Sequence, residues 1–248
     1  MFHVLGFQAN AAASTETTLT PIADNVLQNQ NNGFFSNSML QLIGSVLFGA
    51  DCQYGKVVMP SLNCFGYDYL NQIIPVTAGN TQNADLLLRH DSPLKLPARE
   101  QIKISGLQNN AGAQDITALA LVTKGLQAKP AGDVITIRGT STTAATADTW
   151  SELATTWDVD LPVGNYAVVG GRVEGANGYA WRINAQDCEL RPGYVMMGDV
   201  ALLDNPLVRF GRLGRWCNFD NNLMPLIEVL CSAATASFVI YLDIVKLS

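Results

Sequence analysis

The stretch YAVVGGRVEGANGYAWRI (residues 166–183) decides how this chain folds, because a related stretch lies half a chain earlier. LIGSVLFGADCQYGKV (residues 42–57) contains three dipeptides, and a similar dipeptide follows each of them 126 positions later (169 − 43). The spacing is kept without an insertion or deletion. They are Ile43-Gly44, Gly49-Ala50 and Lys56-Val57, matched by Val169-Gly170, Gly175-Ala176 and Arg182-Ile183. A period this long excludes solenoid repeats, whose units have about 20 to 50 residues. The repeat therefore predicts two similar domains in tandem.

Weaker correspondences extend the repeat toward the ends of both halves. Pro97–Glu100 is matched by Pro225–Glu228 at an offset of 128 (228 − 100), and the apolar runs ending at Lys124 and Lys246 match at 122 (246 − 124). These matches predict that Glu100 and Glu228 lie at equivalent strand starts. Pro, Gly and polar residues of the segment 127–133 separate two apolar runs, so we place the domains at residues 1–128 and 129–248.

Strand patterns dominate both halves. Short segments rich in β-branched and aromatic residues are bounded by Gly, Asn, Asp and Pro; examples are Ile116–Thr123, Val134–Arg138, Tyr166–Val173, Tyr179–Ile183 and Phe238–Val245. Ser38–Phe48 also fits one face of a helix, but the repeat aligns it with Tyr166–Val173 and favours a strand. Each half has room for about eight strands, which predicts an all-β fold of two tandem eight-stranded jelly rolls with few short helices.

Asn177-Gly178 stands between two of these predicted strands. Both residue types tolerate positive φ, so the dipeptide predicts a tight hairpin that pairs Tyr166–Val173 with Tyr179–Ile183. Asp51 and Cys52 occupy the matching positions of the first copy and suit such a turn less well. We therefore expect a longer loop there.

Composition favours a folded, associating protein with little affinity for nucleic acid. Apolar residues make up 48% of the chain and charged residues 15%, so a core can form and the surface is weakly charged enough to be covered by neighbours. The net charge is −6, and Lys56 is the first basic residue, so no basic N-terminal arm exists in the sequence to neutralise phosphate. Arg209, Arg212 and Arg215 are expected to pair with nearby acids such as Asp204 and Asp220, or to be solvated.

Residues for catalysis or metal binding are few. Cys52, Cys64, Cys188, Cys217 and Cys231 form no close pair, and His3 and His90 are the two histidines. His90 beside Asp91 is more typical of a solvated loop than of a general base, and no GxSxG, HExxH or phosphate-loop motif occurs. We predict buried free thiols, no enzyme activity, and no catalytic, cofactor-binding or metal residues.

The sequence also bears on where the protein is made. Residues 1–8 lack the basic start and apolar stretch of a signal peptide, which predicts synthesis in a reducing cytoplasm. The longest apolar runs end well before the roughly 20 residues that cross a bilayer.

Several aromatic and apolar residues have two interpretations. Trp150, Trp157, Trp181 and Trp216 can anchor interfaces, but filling the cores of the domains is their more frequent role. The apolar segment Met1–Phe7 can contact a membrane or pair as a strand. The aromatic residues Tyr67, Tyr69, Tyr179 and Trp181 can stack on sugar rings or pack within sheets.

The chain resembles the double jelly-roll major capsid proteins of small tailless icosahedral bacteriophages with an internal membrane. The resemblance rests on the two β-rich halves, on Leu94–Glu100 near the end of one copy, and on Leu213–Trp216 through Ile240–Asp243 near the end of the other. It implies homotrimers that form pseudo-hexagonal capsomers, neighbouring capsomers as partners, and a location in the virion capsid after synthesis in the host cytoplasm. Vertex or minor capsid proteins and an internal lipid membrane are further partners that it implies.

A viral spike, a vertex subunit or a lectin-like β-sandwich that binds a receptor or saccharide is the alternative. Such a module would present the same strand-rich sequence, so the sequence leaves this choice open.

Overall fold

A computed structural model of the chain describes residues 1–27, 29–30, 32–36, 39–49, 51–63, 72–73, 75–77, 87–88, 93–186, 188–196 and 208–248. The chain divides into two compact units. The N-terminal unit is Val4–Lys124, and the C-terminal unit is Gly125–Ser248 together with Met1–His3. His90, Cys64, Tyr67, Tyr69 and Asp204, which the sequence analysis considered, lie outside the described residues.

The first half of the chain contains thirteen described strands and one short helix. They are β1 Phe2–Ala11, β2 Thr17–Thr18, β3 Thr20–Pro21, β4 Asn29–Gln30, β5 Gly33–Phe35, β6 Gln41–Gly49, β7 Cys52–Val58, α1 Pro60–Asn63, β8 Gln72–Ile73, β9 Pro75–Thr77, β10 Leu87–Leu88, β11 Leu94–Lys95, β12 Gln101–Gln108 and β13 Gln114–Thr123. The segment with both helix and strand character forms β6, so the prediction of a strand is confirmed.

The second half contains nine described strands. They are β14 Ile135–Ser141, β15 Ser151–Leu153, β16 Thr156–Trp157, β17 Asn165–Glu174, β18 Gly178–Asn184, β19 Gly193–Val195, β20 Cys217–Asp220, β21 Leu226–Cys231 and β22 Phe238–Lys246. The predicted strands of both halves lie at these elements, and the prediction of an all-β fold is confirmed.

Each unit is a jelly roll by its strand order. In the C-terminal unit one sheet contains β14-β22-β17-β20 and the other β15-β21-β18-β19. In the N-terminal unit the corresponding orders are β1-β13-β6-β10 and β2-β12-β7-β8, with β3, β4, β5, β9 and β11 added at the margins. Counting the eight framework strands along the chain, both units have sheets ordered 1-8-3-6 and 2-7-4-5. This is the arrangement of an eight-stranded jelly roll, so the chain is a double jelly roll.

Two β-bulges recur at positions related by the sequence repeat. Ile43 is the extra residue where β6 pairs with β13, and Val169 is the extra residue where β17 pairs with β22. Gln53 in β7 and Tyr179 in β18 are likewise extra residues opposite β12 and β21. Both pairs are 126 positions apart, so the repeat preserves the irregularities of the ladders as well as the strands.

The strand registers show that the sequence offset of 128, which matched Glu100 to Glu228, is wrong. Lys56 faces Ser105 in the N-terminal unit, and Arg182 faces Glu228 in the C-terminal unit. Glu228 is therefore equivalent to Ser105, at an offset of 123, and it lies inside β21. Glu100 precedes β12, so the expectation of equivalent strand starts was wrong.

The predicted hairpin at Asn177-Gly178 is also wrong. β17 and β18 belong to different sheets, so the loop 175–177 joins the two layers and does not pair neighbouring strands. Asn177 alone needs the left-handed conformation, with φ of 57°, and Asp51 repeats it with φ of 51°. β6 ends at Gly49 and β7 begins at Cys52, so the expectation of a longer connection in the first copy was wrong.

Large aromatic side chains fill the core of the C-terminal unit. Phe2 packs edge-on against Trp216 at 5.1 Å between ring centroids, and Trp216 lies 5.6 Å from Trp181. In the N-terminal unit Phe7 packs edge-on against Phe34 at 5.2 Å. These rings are fully buried, which places the largest apolar area between the sheets.

Candidate functional site

Three apolar side chains are exposed at one end of the C-terminal unit. Val163 is 82% exposed, Leu223 58% and Leu247 39%. Val163 lies in the connection before β17, Leu223 in the connection between β20 and β21, and Leu247 directly after β22. We call this set the apolar end surface.

Backbone hydrogen bonds bring the three segments together. The N–H of Gly164 donates to Asn221 Oδ1 at 3.0 Å, and the N–H of Asn221 donates to the carbonyl of Gly164 at 3.2 Å. The N–H of Leu247 donates to the carbonyl of Asn165 at 2.8 Å. Val163, Leu223 and Leu247 thus lie within two residues of one bonded group, and their backbones are held in place.

Gly164 makes this close approach possible. Its φ of 150° is unfavourable for other residues, and a Cβ atom there would overlap the carbonyl oxygen of Ser248. Beneath it, Tyr166 stacks on Phe219 at 5.6 Å and donates its hydroxyl hydrogen to the carbonyl of Pro162 at 2.7 Å. The end surface therefore rests on a packed aromatic pair.

Apolar side chains on a fixed backbone suit contact with another macromolecule, because covering them removes apolar area from water and orders little else. Among the described residues, no three His, Cys, Asp or Glu side chains gather in a group that could hold a metal ion. Nor is any helix of the described part long and apolar enough to cross a membrane.

A buried ion pair fastens the segment before β20 to the sheet. Asp243 of β22 is fully buried and accepts hydrogen bonds from Arg209 Nε at 2.6 Å and Nη2 at 2.9 Å. Thr136 Oγ1 donates to it at 2.7 Å and the N–H of Phe210 at 3.0 Å. Burial raises the pKa of Asp243, but these hydrogen bonds outweigh burial and leave the pKa below its ordinary value.

A second buried cluster contains two arginines and one carboxylate. Glu228 accepts from Arg182 Nε at 2.5 Å and from Arg191 Nη1 at 2.7 and 2.9 Å. The Arg182 guanidinium also lies 4.0 Å from the centroid of the Trp150 ring. These contacts join β18 and β21 to the segment before β19.

The N-terminal unit neutralises the equivalent basic position differently. The repeat matches Lys56 to Arg182. Lys56 Nζ lies 3.0 Å from Glu16 Oε1, and Ser105 Oγ donates a hydrogen bond to the same carboxylate at 2.8 Å. Burial raises the pKa of Glu16, while hydrogen bonds from Ser105, Lys56 and Tyr54 bring it below the ordinary value. In both units the cation at this repeated position therefore pairs with a carboxylate. Glu16 precedes β2, whereas Glu228 lies in β21.

The structure decides between the two possible roles of several residues. Trp181 and Trp216 are core residues, whereas Trp150 and Trp157 are half-buried. Arg209 pairs with Asp243, and Arg215 Nε donates to Gln127 Oε1 at 2.8 Å. Arg209 thus has a carboxylate partner in β22, and Arg215 has an amide partner.

The N-terminal apolar segment pairs as a strand. It lies in β1, where Phe2, Val4, Leu5 and Phe7 are buried. His3 is buried as well, and its Nδ1 accepts the N–H of Arg191 at 3.0 Å. Cys52, Cys188, Cys217 and Cys231 are free thiols; Cys217 and Cys231 are buried, and Cys52 and Cys188 half-buried.

Sequence reasoning missed the apolar end surface. Its members are single apolar residues in polar turns, and such residues carry no periodic signal. Pro162-Val163-Gly164, an exposed apolar residue between two turn formers, is the clue that the sequence offers.

Comparison with known proteins adds one structural likeness. No family model matches the chain, and no curated protein matches it. Among solved structures, the crystal structure of the major capsid protein P2 from Bacteriophage PM2 matches with 13% sequence identity and a TM-score of 0.25, over 100% of this chain and 98% of that one.

Proposed function

We propose that this chain is a structural major capsid protein that forms trimers with a pseudo-hexagonal outline and tiles an icosahedral virion shell. The observation that carries the proposal is the duplication within one chain. Both units have the jelly-roll strand order, and both have bulges at matching positions of the third and fourth framework strands.

The outline of the proposed trimer would let one protein tile a closed shell. Two similar sandwiches in one chain give a trimer six similar sides, and one gene product can then occupy near-equivalent places in a closed lattice. Lasting contacts of this kind bury about 1,600 Å² or more in total at each interface. The role is geometric and uses no reactive side chain.

The apolar end surface and the weakly charged sequence fit the same role. Covering the exposed side chains of Val163, Leu223 and Leu247 with another component of the particle would remove apolar surface from water and lower the free energy. We propose neighbouring copies as the main partners, with vertex or minor capsid proteins and an internal lipid membrane as further ones. The protein would be made in the host cytoplasm and function in the virion.

Saccharide binding is less well supported. Trp181, one of the aromatic residues considered for stacking on sugar rings, is fully buried between the sheets. A stacking residue must expose one face of its ring, and Trp181 does not.

The test is to measure the mass and assembly of the purified full chain. Size exclusion with light scattering should give a species of three times 26.7 kDa, and electron microscopy of concentrated samples should show sheets or shells. The double variant Val163→Lys/Leu223→Lys should keep its β-sheet circular dichroism and lose the larger assemblies. Leu40→Lys is the matched control, because Leu40 is 56% exposed and lies in the N-terminal unit, outside the end surface.

A chain that stays monomeric at all concentrations and is absent from isolated particles would refute the capsid role. Equal assembly by the double variant and the control would refute only the part assigned to the end surface.

A further inference from the structure

Two free cysteines meet inside the C-terminal unit. Cys188 lies between β18 and β19, and Cys217 is the first residue of β20. The Sγ atom of Cys188 is 2.7 Å from the carbonyl oxygen of Leu190 and 3.9 Å from that of Trp216. Because a carbonyl oxygen lies about 2.8 Å from the next Cα atom, this sulfur is within about 7 Å of the Cα atom of Cys217. This bound is compatible with a disulfide, which holds the two Cα atoms about 4.4–6.8 Å apart.

We propose that Cys188 and Cys217 are a redox-active pair that closes to a disulfide when the folded protein meets an oxidised low-molecular-weight disulfide such as oxidised glutathione. The Cys188 thiolate attacks one sulfur of the small disulfide and releases one small thiol. The Cys217 thiolate then displaces the second small thiol. The protein loses two electrons and two protons, and the small disulfide gains them as two thiols.

The roles of the two sulfurs follow from burial. Cys188 is half-buried, whereas Cys217 is buried, so a small oxidant would meet Cys188 first. The neighbouring Cys217 thiol lowers the pKa of the Cys188 thiol, and Cys188 together with burial raises the pKa of Cys217. The attacking thiol is therefore the less buried one of the pair, Cys188.

The other two described cysteines serve as internal controls. Burial, with Asp51 nearby, raises the pKa of Cys52 to about 11, and burial raises that of Cys231 to about 12. Both thiols stay protonated near neutral pH and react slowly. We therefore expect the oxidant to react with Cys188 in preference to Cys52 and Cys231.

Closing this bond would join the segment before β19 to β20 across a loop of about 30 residues, which restricts the unfolded chain more than a short loop does. The link would lie beside the N-terminus, since Met1 Sδ is 3.7 Å from Cys188 Sγ. The inference concerns the folded chain and holds whether or not the capsid role is correct.

The experiment exposes the reduced, folded full chain to oxidised glutathione and maps its peptides by mass spectrometry without reduction. We expect a cross-linked peptide containing Cys188 and Cys217, the loss of two titratable thiols, and a rise of about 5–10 °C in the midpoint of thermal unfolding that dithiothreitol reverses. Cys217→Ser should stop at the glutathione adduct of Cys188 and show no rise. Cys231→Ser should behave like the unaltered chain.

Peptide mapping of the unaltered chain decides the matter even where a variant folds poorly. A stable glutathione adduct at Cys188 without a cross-link, or a cross-link to another cysteine, would overturn the proposal. So would no reaction at either residue under conditions in which the chain stays folded.

Discussion

Replacing Asp243 by Asn should destabilise the C-terminal unit severely. Asp243 Oδ2 accepts from Arg209 Nε at 2.6 Å and from the N–H of Phe210 at 3.0 Å, while Oδ1 accepts from Thr136 Oγ1 at 2.7 Å and from Arg209 Nη2 at 2.9 Å. In either orientation the amide of Asn would direct its NH₂ group at an N–H donor of Arg209, which cannot accept a hydrogen bond. The change also removes the carboxylate that pairs with the buried Arg209, for an expected loss of about 3–5 kcal/mol.

Urea unfolding followed by tryptophan fluorescence measures this loss, because Trp181 and Trp216 are buried in the same unit. In thermal unfolding the same loss corresponds to a fall of about 10–20 °C in the midpoint temperature for a unit of this size. Asp158→Asn is the control: Asp158 pairs with Arg138 at the surface, at 2.6 Å, and its removal should leave the free energy of unfolding unchanged within error. A loss below about 1 kcal/mol for Asp243→Asn would refute the reasoning.

The same carboxylate predicts a pH dependence. The pKa of Asp243 is lower in the folded chain than its ordinary value of about 3.9, so its contribution to stability is present above about pH 4 and is lost as the pH falls through the folded pKa. Asp243→Asn should remove this part of the acid dependence. Equal slopes of stability against pH below about pH 4 in both proteins would contradict the assignment.

Two further predictions concern the other cluster and the end surface. Glu228→Gln should cost about 3–5 kcal/mol in urea unfolding, because Arg182 and Arg191 lose their shared carboxylate; a loss under about 1 kcal/mol would show that the two cations find other partners. Gly164→Ala should cost about 1–3 kcal/mol, because its φ of 150° and the approach of Ser248 exclude a Cβ atom; unchanged stability in the same assay would mean that this contact is not formed in solution.

Local pattern was sufficient where the determinants are close in the sequence. Alternating and β-branched segments predicted β13, β17, β18 and β22, and the gapless repeat of 126 decided in favour of β6 as a strand against its helical pattern. The hairpin prediction failed because a turn dipeptide specifies a change of chain direction and not the sheet that receives the next strand.

The sequence by itself determined the class of the fold and its duplication, because strand periodicity and spacing are properties of neighbouring residues. Tertiary structure decided which acid neutralises the cation at each of the two repeated positions. Lys56 and Arg182 are equivalent in the repeat, yet Glu16 pairs with one and Glu228 with the other. It also gathered Val163, Leu223 and Leu247 at one end, and Cys188 beside Cys217. Such contacts join residues far apart along the chain, and they exist only once the strands have taken their order in the sheets.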